Sequence, residues 1–137
     1  MPTERFTVDT RGRFAVDLTD RVLGFAETLD RKDGLLHVFL THATAGLALM
    51  ETGAGSEADL REAFDRLLPR DDRYSHRHGS PGHGADHLLP AFVSPSLIIP
   101  VHQGGVVLGT WQRVVLIDPN RENNERTVVL SFVQADS

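Results

Sequence analysis

The apolar positions change period several times along the chain, and each change predicts an element. Residues 5–9 and 13–18 alternate around the turn signal TRGR and predict a short pair of strands. Val22, Leu23, Phe25, Ala26 and Leu29 then recur at helical spacing. Thr19 or Asp20 is placed to cap that helix, and Gly34 fits a stop after Lys32. Two short apolar runs, 35–41 and 45–50, predict strands separated by Ala43 and Thr44. The stretch TGAGS breaks the second run. Ser56 is the predicted N-cap of a helix that lays Leu60, Ala63, Phe64, Leu67 and Leu68 on one face, and Pro69 ends it. After a polar stretch, with at most a helical turn at 87–89, residues 96–101, 106–108, 113–117 and 127–133 read as strands. The QGG before Val106 marks a hairpin.

Late strands with short connections argue for antiparallel pairing. Two main helices on such a sheet predict an α+β domain. The 137 residues suit a single domain that spans the whole chain, and neither a linker composition nor an internal repeat divides it.

Composition narrows the function. Cysteine is absent, which excludes disulfides and thiolate ligands. The net charge is −5 and the basic residues are scattered, so a nucleic-acid partner is not expected. No apolar stretch approaches the roughly 20 residues that cross a bilayer, and MPTERFTVDT has no signal-peptide pattern. The expectation is a cytoplasmic protein with no membrane partner.

The chemistry concentrates in histidine. Of seven, four fall within YSHRHGSPGHGADHL, residues 74–88. His76 and His78 share a face if their segment is extended, and His83 and His87 share one on a helical turn. Neutral imidazole is the commonest nitrogen ligand for zinc, yet the spacing matches no zinc signature. A solvated polar loop fits the same residues. His42, at a strand end in THATAG, reads as a functional residue or as a turn histidine bonded to backbone. His37, within LLHVFL, and His102, before the hairpin, read as surface residues. Glu51 fits a metal ligand, a general base or a plain surface acid. Asp59 has a sufficient role at a helix N-terminus. In GTWQ, Trp111 can cap the core or wall a pocket, and Gln112 offers donors and an acceptor.

Taken in order, HATAGL, Glu51, Asp59, YSHRH, the His87-Leu88 pair, PSLIIPV and GGVVLGTWQRV resemble the YjbQ (UPF0047) family over about residues 36–117. That family is named for a secondary thiamine-phosphate synthase activity. The resemblance implies an α+β domain that assembles as a homotrimer. It also implies a polar site at which His42, Glu51, His76 and His87 converge beside Trp111 and Gln112. Within it, His42, His76 and His87 are the candidate metal ligands. His42, Glu51 and Gln112 are the candidate catalytic groups, and Asp59, Arg77 and Trp111 the candidate ligand contacts. The chain departs from the family pattern at Ala43, His83, Asp86 and Ser94, and in DPNRENNER. His83 and Asp86 thereby add a possible ligand and a possible partner for a ligand histidine.

Joining a pyrimidine-methyl diphosphate to a thiazole phosphate calls for Mg²⁺ and for cations near the phosphates. Arg77 and Arg73 are the nearest by sequence. A histidine site suits Zn²⁺ better than Mg²⁺. Three functions therefore stand: such a synthase, a metal-dependent hydrolase or lyase of a small phosphorylated metabolite, or a non-catalytic metal- or ligand-binding trimer.

Overall fold

The computed structural model describes residues 1–136 other than Arg77 and Pro81. Two antiparallel sheets form the domain. The larger has the order β1-β8-β3-β5-β6, from strands Thr3–Asp9 (β1), Glu125–Gln134 (β8), Gly34–Leu40 (β3), Ser96–His102 (β5) and Gly105–Val106 (β6). The smaller has the order β2-β7-β4, from Ala15–Asp17 (β2), Arg113–Ile117 (β7) and Gly46–Met50 (β4). Helices α1 (Thr19–Glu27), α2 (Ser56–Leu67) and α3 (His83–Phe92) complete it. The expected α+β class and antiparallel pairing hold, with the strands divided between two sheets.

Side-chain alternation sets the layers. Leu36, Val38 and Leu40 of β3 face inward with Val128, Leu130 and Phe132 of β8. They meet Val16, Leu47, Val114 and Leu116 of the smaller sheet, with Val22, Phe25 and Ala26 of α1 in the same core. The opposite face of β7, Val115 and Ile117, packs against Ala85 and Leu89 of α3, with Leu60 and Phe64 of α2 alongside. β7 is therefore covered on both faces, which explains its unbroken apolar run VVLI. Fully burying each such side chain stabilises the fold by about 1.5–3 kcal/mol.

Four local expectations change, the first being the cap of α1, which is Leu18 with Thr19 already helical. The first helix ends at Glu27, with Thr28 as its C-cap, and Gly34 opens β3 instead of stopping the helix. An added Cβ at Gly34 would lie 2.1 Å from the Val133 carbonyl oxygen, so close strand approach explains that glycine. Gly55, at φ +97°, is the N-cap of α2, and Ser56 is already helical. The segment expected to form at most one turn is a ten-residue helix, α3, begun at Gly82 with φ +87°.

Candidate functional site

Chain geometry around α3 builds the site. Tyr74 lies across the first turn of the helix at Gly84, where an added Cβ would meet the Tyr74 Cβ at 2.8 Å. The Tyr74 hydroxyl donates to the Pro69 carbonyl at 2.6 Å, so the stretch after α2 folds back on α3. That brings His76 and His78 over the helix face that carries His83 and His87. Among the described residues, one nitrogen from each of His76, His78, His83 and His87 lies within 4.8 Å of the other three. The rings pack closely: centroids are 3.9 Å apart for His76–His78 and 4.3 Å for His76–His87. Gly79 cannot be another residue without disturbance, since its φ is +83° and an added Cβ would meet the His83 ring at 2.6 Å.

Hydrogen bonds fix the state of His83. The Oδ1 of Asn120, on the loop after β7, accepts the amides of Glu122 and Asn123, both at 2.8 Å. The amide nitrogen of Asn120 must then face the other way. It stands 3.2 Å from His83 Nδ1 and 3.2 Å from Asp86 Oδ2. An amide nitrogen only donates. His83 Nδ1 is therefore the acceptor, and the neutral ring carries its proton on Nε2. That Nε2 lies 3.1 Å from His87 Nε2 and donates to it. Asp86 is held by Arg70 as well, while burial pushes its carboxyl above the usual range against that attraction. Glu122 accepts the Ser80 amide, which holds its carboxyl low.

His76 is the member of this arrangement left without partners. Both of its ring nitrogens are shielded from solvent and have no hydrogen-bond partner. A buried polar atom left this way is costly unless a ligand serves it. Burial lowers the pKa of His76 and His87, and the neighbouring imidazoles add to the effect. Both rings are thus neutral at neutral pH; the lone pair of His76 is unserved, while that of His87 accepts from His83. An all-imidazole donor set beside unserved nitrogens fits a borderline ion such as Zn²⁺ and fits Mg²⁺ poorly.

The remaining residues singled out from the sequence lie elsewhere. His42 follows β3, and its Nε2 accepts the Thr127 amide at 2.8 Å, extending the β3–β8 pairing past its last ladder rung. Burial and then Arg126 lower its pKa, against Asp118, so it stays a neutral acceptor. Of the expected trio His42, His76 and His87, His42 serves the sheet within this chain, and His78 and His83 accompany His76 and His87. Glu51 is exposed just beyond β4, and Asp59 is exposed in the first turn of α2. Trp111 is 72% exposed in the loop between β6 and β7. Gln112 turns back on that loop, its Oε1 accepting the Gly109 amide at 2.8 Å. Arg77 lies outside the described residues, and Arg73 is paired with Asp71. Asn120 escaped the sequence reading because an Asn in a polar loop carries no signal of its own. Its one mark was that DPNRENNER departs from the family pattern.

No helix among the described residues is long and apolar enough to cross a membrane. The family model described as "UPF0047 protein YjbQ-like" matches residues 4–135. A UPF0047 protein of Mycobacterium tuberculosis is 59% identical over 134 residues, 98% of this chain and 99% of that protein. The UPF0047 protein YjbQ of Escherichia coli O157:H7 is 28% identical, covering 92% of this chain and 93% of its own. Among solved structures, a hypothetical protein of Aeropyrum pernix superposes with a TM-score of 0.87 at 30% identity, covering 98% of this chain and all of the other. A YbjQ-like protein of unknown function from Sulfolobus solfataricus has a TM-score of 0.89 at 24% identity over 98% and 97% of the two chains, which bears on fold alone. With its fold, its motifs and nearly its whole length in common with these proteins, the chain belongs to the YjbQ-like UPF0047 family.

Proposed function

We propose that the protein is a metal-dependent enzyme acting on a small phosphorylated metabolite, with a zinc-like ion held by His76, His78 and His87. The observation that carries this reading is the convergence of four imidazoles around unserved nitrogens of His76. Hydrogen-bond accounting divides the four. His83 has its one lone pair engaged by Asn120, whereas the lone pair of His87 meets only the His83 N–H, a contact that an ion would replace. Three ligands leave a coordination position open, which is the pattern of catalytic zinc and not of structural zinc. A bound ion would supply Lewis acidity and lower the pKa of water there. Released from His87 by a bound ion, the N–H of His83, fixed by Asn120 and backed by Asp86 and Glu122, would face the same space and orient what binds in it. The nitrogen-only donor set favours hydrolysis or lysis over the diphosphate displacement of a thiamine-phosphate synthase, which calls for Mg²⁺ and oxygen ligands.

We also propose a homotrimer. Leu35 and Phe39 of β3, Ile98 of β5 and Val133 of β8 stand on the outer face of the larger sheet, and Ile98 and Val133 are 61% and 55% exposed. A contiguous apolar face of this kind suits burial against another copy.

The test is elemental analysis of untagged protein purified without chelator. Near-stoichiometric zinc, lost in His76→Ala, His78→Ala and His87→Ala but retained in His83→Gln and His42→Ala, is the expected result. Wild-type protein without metal, even after incubation with Zn²⁺, overturns the reading. Equal loss in His83→Gln would mean a closed four-ligand site and a non-catalytic role. Activity is then sought on phosphorylated metabolites, with the synthase reaction (thiazole phosphate plus pyrimidine diphosphate) run in parallel.

A further inference from the structure

We infer that a second site, a cleft lined by Arg11, Arg13, Arg61 and Arg121, binds the phosphate or diphosphate group of a small molecule. The cleft measures about 380 Å³, within the size range of small-molecule sites. Its walls come from three separate parts of the chain. Arg11 and Arg13 sit on the β1–β2 turn, Arg61 on α2, and Arg121 on the loop between β7 and β8. Four guanidiniums gathered from distant segments repel one another, and the fold places them together without a compensating acid.

Arg66, Arg70, Arg73, Arg113 and Arg126 each pair with a carboxylate. Among the described residues, the side chains of Arg11, Arg13 and Arg121 have no hydrogen bond or ion pair, and Arg61 makes only a cation–π contact, 5.3 Å from the Phe14 ring centre. Of the other described arginines, Arg5, Arg21 and Arg31 also lack an acid partner, but none of them lines this cleft, where four unpaired arginines meet. Acids are not scarce, since the chain carries 19 of them against 14 basic residues. One acid, Asp118, lines the cleft, and its oxygens are already taken by Arg126, Thr10 and the Asn120 amide. The cleft therefore has an unneutralised positive field in an acidic protein. Planar guanidinium forks match phosphate oxygens, and focused field of one sign draws in ligands of the other.

Position gives the cleft its purpose. Asn120 lines it and also holds His83. Arg121 is shared with an adjoining hollow bounded by Arg70, Ser80 and Glu122, next to the histidines. A phosphate anchored on the arginines would leave the rest of its molecule directed along Asn120 and Arg121 toward the imidazoles. This orientation rests on the metal-site reading above, whereas anion binding itself does not.

Pyrophosphate is the probe, titrated calorimetrically into chelator-treated wild-type protein and into Arg11→Ala, Arg61→Ala, Arg121→Ala, Arg66→Ala and His87→Ala variants. All five positions are surface or partly buried, and circular dichroism checks each fold. The expected result is binding to metal-free wild type that weakens with added salt. Each cleft substitution should weaken it about tenfold, while Arg66→Ala and His87→Ala leave it unchanged. No binding to metal-free protein in the millimolar range overturns the proposal, as does binding lost in His87→Ala but kept in the cleft variants. Tighter binding of a single-stranded RNA oligonucleotide through the same arginines would also overturn it, in favour of a nucleic-acid partner. Zinc content, measured on the same samples before chelation, reports separately on the metal site.

Discussion

Removing the carboxylate of Asp118 should unfold the protein far more readily than its single-residue size suggests. Arg126 is 1% exposed and is the largest fully buried side chain. Its Nε donates to Asp118 Oδ2 at 2.7 Å, and its Nη2 to Asp118 Oδ1 at 2.8 Å and Thr44 Oγ1 at 2.9 Å. Asp118 also accepts the Thr10 hydroxyl at 2.6 Å and the Asn120 amide at 2.9 Å. Asp118→Ala leaves a buried guanidinium with a single hydroxyl partner. Breaking a buried pair by deleting one member costs about 3–5 kcal/mol. The unfolding entropy of a chain of 137 residues then converts this to a fall in Tm of about 10–17 °C. Far-UV circular dichroism is the assay, because Trp111 is too exposed to report on the core. The double variant Asp118→Leu/Arg126→Met replaces both charges with apolar volume and should recover most of the loss. A fall of less than about 3 °C in Asp118→Ala, or a double variant no better than the single one, would refute the assignment of this pair as a matched buried unit.

Three further outcomes are expected. His42, His76 and His87 all have pKa values below the ordinary 6.5, so the unfolded chain binds their protons first as pH falls. The stability they contribute is fully present above about pH 6.5 and is lost as pH drops through their folded values. Urea unfolding of metal-free protein at a series of pH values should show this decline, and a flat profile down to about pH 5 would contradict it. Gly46→Ala should destabilise by about 1–3 kcal/mol, because its Cβ would sit 2.0 Å from the Val93 carbonyl oxygen where the end of α3 meets β4; an unchanged denaturation midpoint would show that this contact yields freely. Ile98→Asp, on the outer face of the larger sheet, should convert the proposed trimer to monomer in light scattering without loss of fold, and a trimer that survives it would move the interface elsewhere.

Much of the fold was legible in the chain because it depends on periodicity. The inward faces of β3 and β8, the unbroken run of β7 and the apolar stripe of α2 all follow from side-chain spacing. The third helix was not legible. Its first turn carries Gly84 and the polar residues His83 and Asp86, which read as loop until Asn120 and Arg70 arrive from distant segments to satisfy them. Gly34 as a helix stop and Ser56 as an N-cap were misjudged for a similar reason, since Gly34 answers to a neighbouring strand and Gly55, at positive φ, takes the cap position.

For the site, the sequence by itself determined the chemistry: four histidines within fifteen residues and no cysteine, which excludes thiolate donors and points to imidazole. Only the tertiary structure decided membership. His42 resembles a ligand in its motif, yet its lone pair goes to the Thr127 amide because β8 lies beside it. His83 gains its fixed tautomer from Asn120, 37 positions away. The four arginines of the cleft are unremarkable along the chain and become a charged surface only when three segments meet. Spacing specifies which side chains share an element's face, since that is local geometry. Which lone pairs and protons remain free is set by partners that long-range packing supplies, and no local pattern records them.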